Sequence, residues 1–257
     1  MASEVKANKI SPATSTTVTL GDASDLFQLP ASAEIDIASG ATLDVNGTID
    51  ITGATTTGFP SSGFNSVQVF TSTGTWTKPA GITKVIVEVI SAGGGSGSNS
   101  AAATSGGPGG GGAYASKVLD VTDIDTATAT VGAAGAAASY ISAQAGATGG
   151  VSSFAKLAGS GSFTTVTCPG GTGGANNTYA PGGFSGAPTT GDINVAGCNG
   201  IASTSSYAVG GDTKYGWGGR GTSSSGVGYG AGGSCAAGTY KDGIVGLDGI
   251  IIVWEFK

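Results

Sequence analysis

The residues best suited to touching another molecule are Lys214-Tyr215-Gly216-Trp217-Gly218-Gly219-Arg220-Gly221. Glycine supplies no side chain to bury its neighbours, so aromatic rings set between glycines keep an open face. An open Tyr or Trp face beside an Arg suits a sugar ring or a protein epitope, and these residue types dominate binding hot spots. Tyr179, Phe184, Tyr207 and Tyr229 sit in similar settings. The candidate binding set is therefore Tyr179, Phe184, Tyr207, Tyr215, Trp217, Arg220 and Tyr229. The same rings have a second use, as internal anchors that hold glycine layers together, and the two uses are compatible.

Catalytic chemistry finds little to work with. The chain has no histidine, which excludes a histidine-based triad and a histidine-ligated metal. Paired carboxylates would serve polysaccharide cleavage. The candidates beyond residue 60 are Glu88, Asp120, Asp123, Asp125, Asp192, Asp212, Asp242, Asp248 and Glu255, and most read as turn or strand-end residues. No catalytic residue is expected. Asp123-Ile124-Asp125 lacks the remaining oxygen ligands of a calcium site, and the glycine runs lack the GxxxxGK[ST] phosphate cradle. No metal and no cofactor are expected.

Charge narrows the partners. A net charge of -6 with 10 Lys+Arg leaves no basic stripe for nucleic acid or an anionic membrane. No apolar run approaches the ~20 residues of a membrane span. The opening Met1–Lys9 lacks the apolar core of a signal peptide, so the expected product is cytosolic or leaves the cell by lysis. Cys168, Cys198 and Cys235 are odd in number and form no CxxC pair. They read as small buried hydrophobes, with one bridge left open.

The element that must position the binding residues is Val85-Ile86-Val87-Glu88-Val89-Ile90, followed by Ser91-Ala92-Gly93-Gly94-Gly95. β-Branched side chains fit a pleated, half-buried surface. A matching run, Ile250-Ile251-Ile252-Val253-Trp254, lies near the end of the chain. The two are expected in one sheet, clamping the glycine-rich loops between them. Only eight of the 50 glycines precede Ser91, so the composition changes there. The glycines follow no three-residue period, which excludes collagen. A charged fraction of 10% against 39% hydrophobic is the reverse of a disordered chain.

Shorter elements fill in the rest. Val67–Phe70 and Thr75–Thr77 flank Ser72-Thr73-Gly74 as a hairpin would. Lys78-Pro79-Ala80-Gly81 reads as a tight turn with Pro at its second position. Ala113–Asp120, Thr126–Val131, Val151–Ala155 and Phe163–Thr167 read as strands. The alanine-rich stretch 132–150 holds too many glycines for a helix. From Cys168 to Tyr240 the glycine runs suit left-handed extended helices that hydrogen-bond to their neighbours through the backbone.

Upstream, residues 34–53 alternate strictly. Ile35, Ile37, Leu43, Val45, Ile49 and Ile51 fall on one face of a ribbon, and Glu34, Asp36, Asp44 and Asp50 on the other. A single ribbon cannot cover its own apolar face. Sister copies are the economical partner, with those six apolar residues on a threefold axis; a surface hairpin folded back on the rest of the chain is the alternative. The expected organisation is an N-terminal attachment segment (1–30), a β-repeat shaft with linker (31–60) and a glycine-rich head (61–257). The fold class is mainly β: a thin trimeric β shaft and a β-sandwich-like head with polyglycine-II helices.

The stretch Phe70-Thr71-Ser72-Thr73-Gly74-Thr75-Trp76-Thr77-Lys78-Pro79-Ala80-Gly81, the strand 84–90, the glycine block and the closing 249–256 resemble the glycine-rich domain of bacteriophage tail fibres. Ser3–Pro12 and Gly40–Gly47 are similar to the openings and shafts of short fibres from tailed phages of marine bacteria. The resemblance implies a homotrimeric virion fibre, assembled in the host cytoplasm and docked on other tail proteins through its N-terminus. Its partner would be a host surface polysaccharide or outer-membrane protein, bound as a receptor without catalysis. The rival expectations are a purely structural connector or decoration fibre, and a secreted glycine-rich ice-binding or adhesion protein.

Overall fold

Alternate β-branched residues give strand 84–90 two apolar faces, and each face packs differently. The computed structural model describes residues 63–99, 106–142, 144–176, 182–202, 208–221, 223–235 and 240–257. The attachment segment 1–30 and the shaft 31–60, with Ile35, Ile37, Leu43, Val45, Ile49 and Ile51, lie outside them.

The fold is mainly β, and the described residues contain no helix. In chain order the strands are β1 (Phe64–Phe70), β2 (Gly74–Thr77), β3 (Lys84–Ile90), β4 (Tyr114–Asp120), β5 (Ile124–Thr130), β6 (Ser152–Gly159), β7 (Val166–Cys168), β8 (Ile193–Val195), β9 (Gly216–Trp217), β10 (Val227–Gly228) and β11 (Ile250–Phe256). One antiparallel sheet has the order β1-β11-β3-β4-β8 and a second the order β2-β5-β6-β7. Their facing surfaces make the core. Val85, Val87, Val89, Ile251 and Val253 from the first sheet are buried against Trp76, Ala127, Phe154 and Val166 from the second. Phe154 is the hub, with Trp76 edge-on at 5.9 Å and Phe163 stacked at 5.8 Å.

Several expectations are corrected here. The two apolar runs do share a sheet, but β3 and β11 are hydrogen-bonded neighbours, from Ile90↔Ile250 to Lys84↔Phe256. Nothing is clamped between them; the glycine segments leave from the Ile90 end. The expected hairpin does not form, because β1 pairs with β11 and β2 with β5. The chain crosses between sheets so that Trp76 enters the core. The turn sits one residue later than expected: Ile82 N–H donates to Pro79 O at 3.3 Å. Gly81, with φ +78°, then occupies the third position of a type II turn, where positive φ is required. β7 begins at Val166, since Phe163 is used in stacking.

The glycine region is ordered by its backbone. Along 92–99, successive donors reach different neighbours. Gly93, Ser96 and Asn99 donate to Leu247, Ile244 and Lys241, while Gly94 and Gly97 donate to Gly110 and Gly107. Ala92, Gly95 and Ser98 donate to Gly150, Ala147 and Gln144. The carbonyls go to other segments again, with Gly135 and Ala138 donating to Gly93 and Ser96, and Gly171 and Gly174 donating to Ala92 and Gly95. Partners recur every third residue, the repeat of an extended left-handed helix that has no internal hydrogen bonds. Segment 106–113 behaves alike: Gly107, Gly110 and Ala113 donate to Ala175, Thr172 and Pro169, and Gly109 and Gly112 to Gly233 and Gly230. Both 91–99 and 106–112 are buried throughout.

Such packing tolerates no Cβ on the inner rows. A methyl group at Gly94 would overlap the carbonyl of Thr172, and one at Gly109 the carbonyl of Gly94. Neither glycine has a positive φ, so close approach is what demands it. The alanine-rich stretch joins the same lattice, with Ala147 donating to Ala136 and Gly150 to Ala133.

Candidate functional site

Glu88 lies on the outer face of β3, away from the core. Opposite it in β4 is Ser116, and Tyr114 follows one pleat along. Tyr114 Oη donates to Glu88 Oε1 at 2.8 Å, and Tyr215 Oη to Oε2 at 2.7 Å. Lys214 Nζ closes an ion pair on Oε1 and donates to Tyr114 Oη at 2.8 Å. The same ammonium lies 4.1 Å from the Tyr114 ring centroid and 4.9 Å from that of Tyr215. Trp254 Nε1 completes the set at 3.4 Å.

Burial is the largest influence on Glu88 and raises its pKa. The donors Lys214, Tyr215 and Tyr114, together with the Lys214 charge, outweigh it and hold the carboxyl below its ordinary range. Desolvation likewise works against the charged form of Lys214, and the Glu88 contact overcomes it, raising the ammonium pKa above its usual value. Tyr215 is raised, first by desolvation and then by donating to Glu88. The first half of the glycine-aromatic motif is thus fixed to β3.

The second half faces outward. Trp217 is 66% exposed. It pairs with the equally open Val227 across the β9-β10 ladder. The Arg220 guanidinium lies 5.4 Å from the Trp217 ring centroid, and its Nη2 is 3.6 Å from Asp212 Oδ2. Asp212 Oδ1 also accepts from Gly218 N–H at 2.6 Å. Asp212, which holds Arg220, also lines a groove of about 520 Å³. Its other walls include Tyr114, Ile193, Val195, Cys198 and Lys214. Ile193 and Val195 of β8 are exposed, so the groove offers an apolar strip beside a cation–aromatic rim.

The predicted residues therefore divide. Trp217 and Arg220 come together beside Asp212, and Tyr215, still exposed, is tied by its hydroxyl to Glu88. Tyr229 is half-buried against the cluster of Ile90, Tyr114 and Ile250. Phe184 is exposed on another segment, where its backbone pairs with Thr172. Tyr179 and Tyr207 lie outside the described residues. Sequence reasoning missed Asp212, Ile193, Val195 and Tyr114 as neighbours of the motif, because sequence spacing holds no signal for them.

Two carboxylates depart from the strand-end expectation. Glu88 has the partners above. Glu255, 1% exposed, accepts from Trp76 Nε1 and Gln68 Nε2, both at 2.7 Å, and from Ser66 Oγ. The cysteines are free. Cys168 and Cys235 are buried as expected, and burial pushes the Cys168 thiol up to about 12. Cys198 is exposed at the groove, contrary to expectation; its backbone, held between Gly111 and Asp212, serves the lattice while its side chain points away. Among the described residues, no three metal-ligating side chains converge, Asp123 and Asp125 included.

A family profile described as a glycine-rich domain matches residues 68–254. The chain belongs to the glycine-rich domain family. The matched region runs from within β1 to within β11 and so spans both sheets and the backbone lattice of this chain. No curated protein matches the chain.

Proposed function

We propose that this chain is a homotrimeric virion tail fibre that attaches a phage to its host, docking on other tail proteins through its N-terminal segment. Its head binds a surface polysaccharide or outer-membrane protein without chemical change to either. The observation that carries this reading is the open Trp217–Arg220 pair, with Arg220 held by Asp212, a residue that also lines an apolar groove. A planar ring backed by a cation supplies stacking and hydrogen bonding at one point. The backbone lattice beneath it holds the rim still, so little ordering entropy is lost on binding.

A structural connector fibre is the second reading. The engagement of Lys214 and Tyr215 by Glu88 favours it, since that half of the motif serves the fold. Fluorescently labelled full-length chain, added to susceptible cells, separates the two. Receptor binding predicts saturable labelling that falls at least ~10-fold in a Trp217→Ala/Arg220→Ala variant, the loss typical of hot-spot residues, with an unchanged thermal midpoint. Failure to label any susceptible host favours the connector. Loss of surface polysaccharide during incubation would overturn the non-catalytic part.

A further inference from the structure

The outer face of the five-stranded sheet has two ends that differ in cover. At the Ile90 end, Ile90 and Ile250 are buried at 0% and 5%, with Tyr114 and Tyr229 packed around them. At the other end the same face is more open, with Ile86 and Trp254 half-buried between exposed neighbours. Strand register places Val67, Trp254, Ile86 and Val118 in one row across β1, β11, β3 and β4. Val67 is 42% and Val118 56% exposed. Phe64 extends the row, 60% exposed and in ring contact with Trp254 and Phe256 at 6.2 and 6.1 Å. Four strands ~4.8 Å apart make this row about 14 Å wide. Single exposed apolar residues are ordinary on a surface, but a contiguous patch marks a contact site.

We propose that this more open face is the surface through which copies of the chain pack on one another. The proposal rests on the homotrimer in the reading above and names the part of the head that would make it. Where the chain comes in is the main argument for a second copy as occupant. The described head begins at Gly63, which lies on the rim of this patch beside Lys84, Phe256 and Lys257. Gly63 is locked there by a reciprocal backbone pair with Lys257, at 3.2 and 3.1 Å. Just upstream in sequence is the alternating stripe from Ile35 to Ile51, for which the proposed homotrimer supplies sister copies as the cover. Copies joined there hold their heads on short tethers at millimolar effective concentration.

The size of the patch fits that arrangement. A plate about 14 Å wide and a few residues long falls short of the ~800 Å² per partner that an unassisted complex buries. A tethered one needs less. The rim carries both signs, with Lys84 facing Asp120 across the strands and Lys257 beside them. Around a threefold axis such an edge meets a neighbouring copy's patch heterologously, Lys against Asp, without net repulsion.

Light scattering on the full-length chain, over a dilution series, reads the assembly directly. Wild type is expected at about three times the 24.3 kDa chain mass. A Val67→Lys/Val118→Lys variant is expected to dissociate at a concentration at least tenfold higher. An unchanged dilution profile, or a wild type that is monomeric throughout, overturns the proposal. If the variant fails to fold, radical footprinting of wild type decides: protection of Phe64 and Val118 must rise with chain concentration. Protection that is constant, as cover by the same chain would give, also overturns it. The Trp217 reading is unaffected by either failure, because cell labelling tests it separately.

Discussion

Glu88 is a carboxylate almost without solvent, and its charge survives because donors surround it: Lys214, Tyr215 and Tyr114. Its pKa lies below the ordinary 4.5. A lowered folded-state pKa contributes stability above the unfolded value and loses it as pH falls through the folded one. Lys214 is raised above 10.5, so its share is full below that pH and is lost only as alkali passes the folded value. The cluster is therefore at full strength from just above pH 4.5 to the neighbourhood of pH 10. Glu88→Ala should cost about 2 kcal/mol at pH 7, the scale of hydrogen bonds to a charged group, with the outer Lys214 contact screened by water. Urea denaturation at pH 7 and pH 3.5 checks this: wild type loses part of the contribution at the lower pH, whereas Glu88→Gln shows a smaller acid loss. The sequence showed Glu88 interrupting an apolar strand but named no partner for it, since Lys214 lies 126 positions away.

Strands were legible where side chains alternate. β3 and β11 follow from unbroken β-branched runs and β5 from alternating Thr residues, and these, with β4, stand close to where the sequence puts them. Pairing was less legible: Gly74 is the sort of residue that closes a hairpin, yet β1 and β2 join different sheets because Trp76 has its hydrogen-bond partner, Glu255, in β11. The glycine runs have a different logic. Their side of the fold works because adjacent backbones touch, which makes a prediction about single methyl groups. Gly94→Ala and Gly109→Ala each push a Cβ onto a backbone carbonyl. Overpacking of side chains typically costs 1–3 kcal/mol; a carbonyl held by its own hydrogen bonds has less room, so about 3 kcal/mol is expected for each. Gly74→Ala is the control, since its nearest neighbour is the Phe70 ring at 3.3 Å, which can turn; the expected change is below ~1 kcal/mol. Thermal midpoints of the three variants measure the contrast.

At the scale of the whole molecule, two kinds of interior meet at Ile90. On one side sheets bury side chains; on the other, extended segments bury backbone. The second kind has few side chains to exclude water, yet its amides are paired, so amides 93–97, 107 and 109–112 should exchange with deuterium as slowly as those of β3 and β11. Hydrogen-exchange mass spectrometry reads this, and fast exchange across the glycine segments would contradict the lattice. The sequence by itself determined that the chain is mainly β, that its two apolar runs share a sheet and that its glycine segments bond through their backbones. Those properties follow from local side-chain size, which is written residue by residue. Only the tertiary structure decided which segment touches which, that Tyr215 is tied to Glu88 while Trp217 stands free of it, and that one sheet face is half covered. Glycine segments look alike to one another, so their order in the lattice depends on a three-residue register and on chain reach, and neither is encoded at any single position.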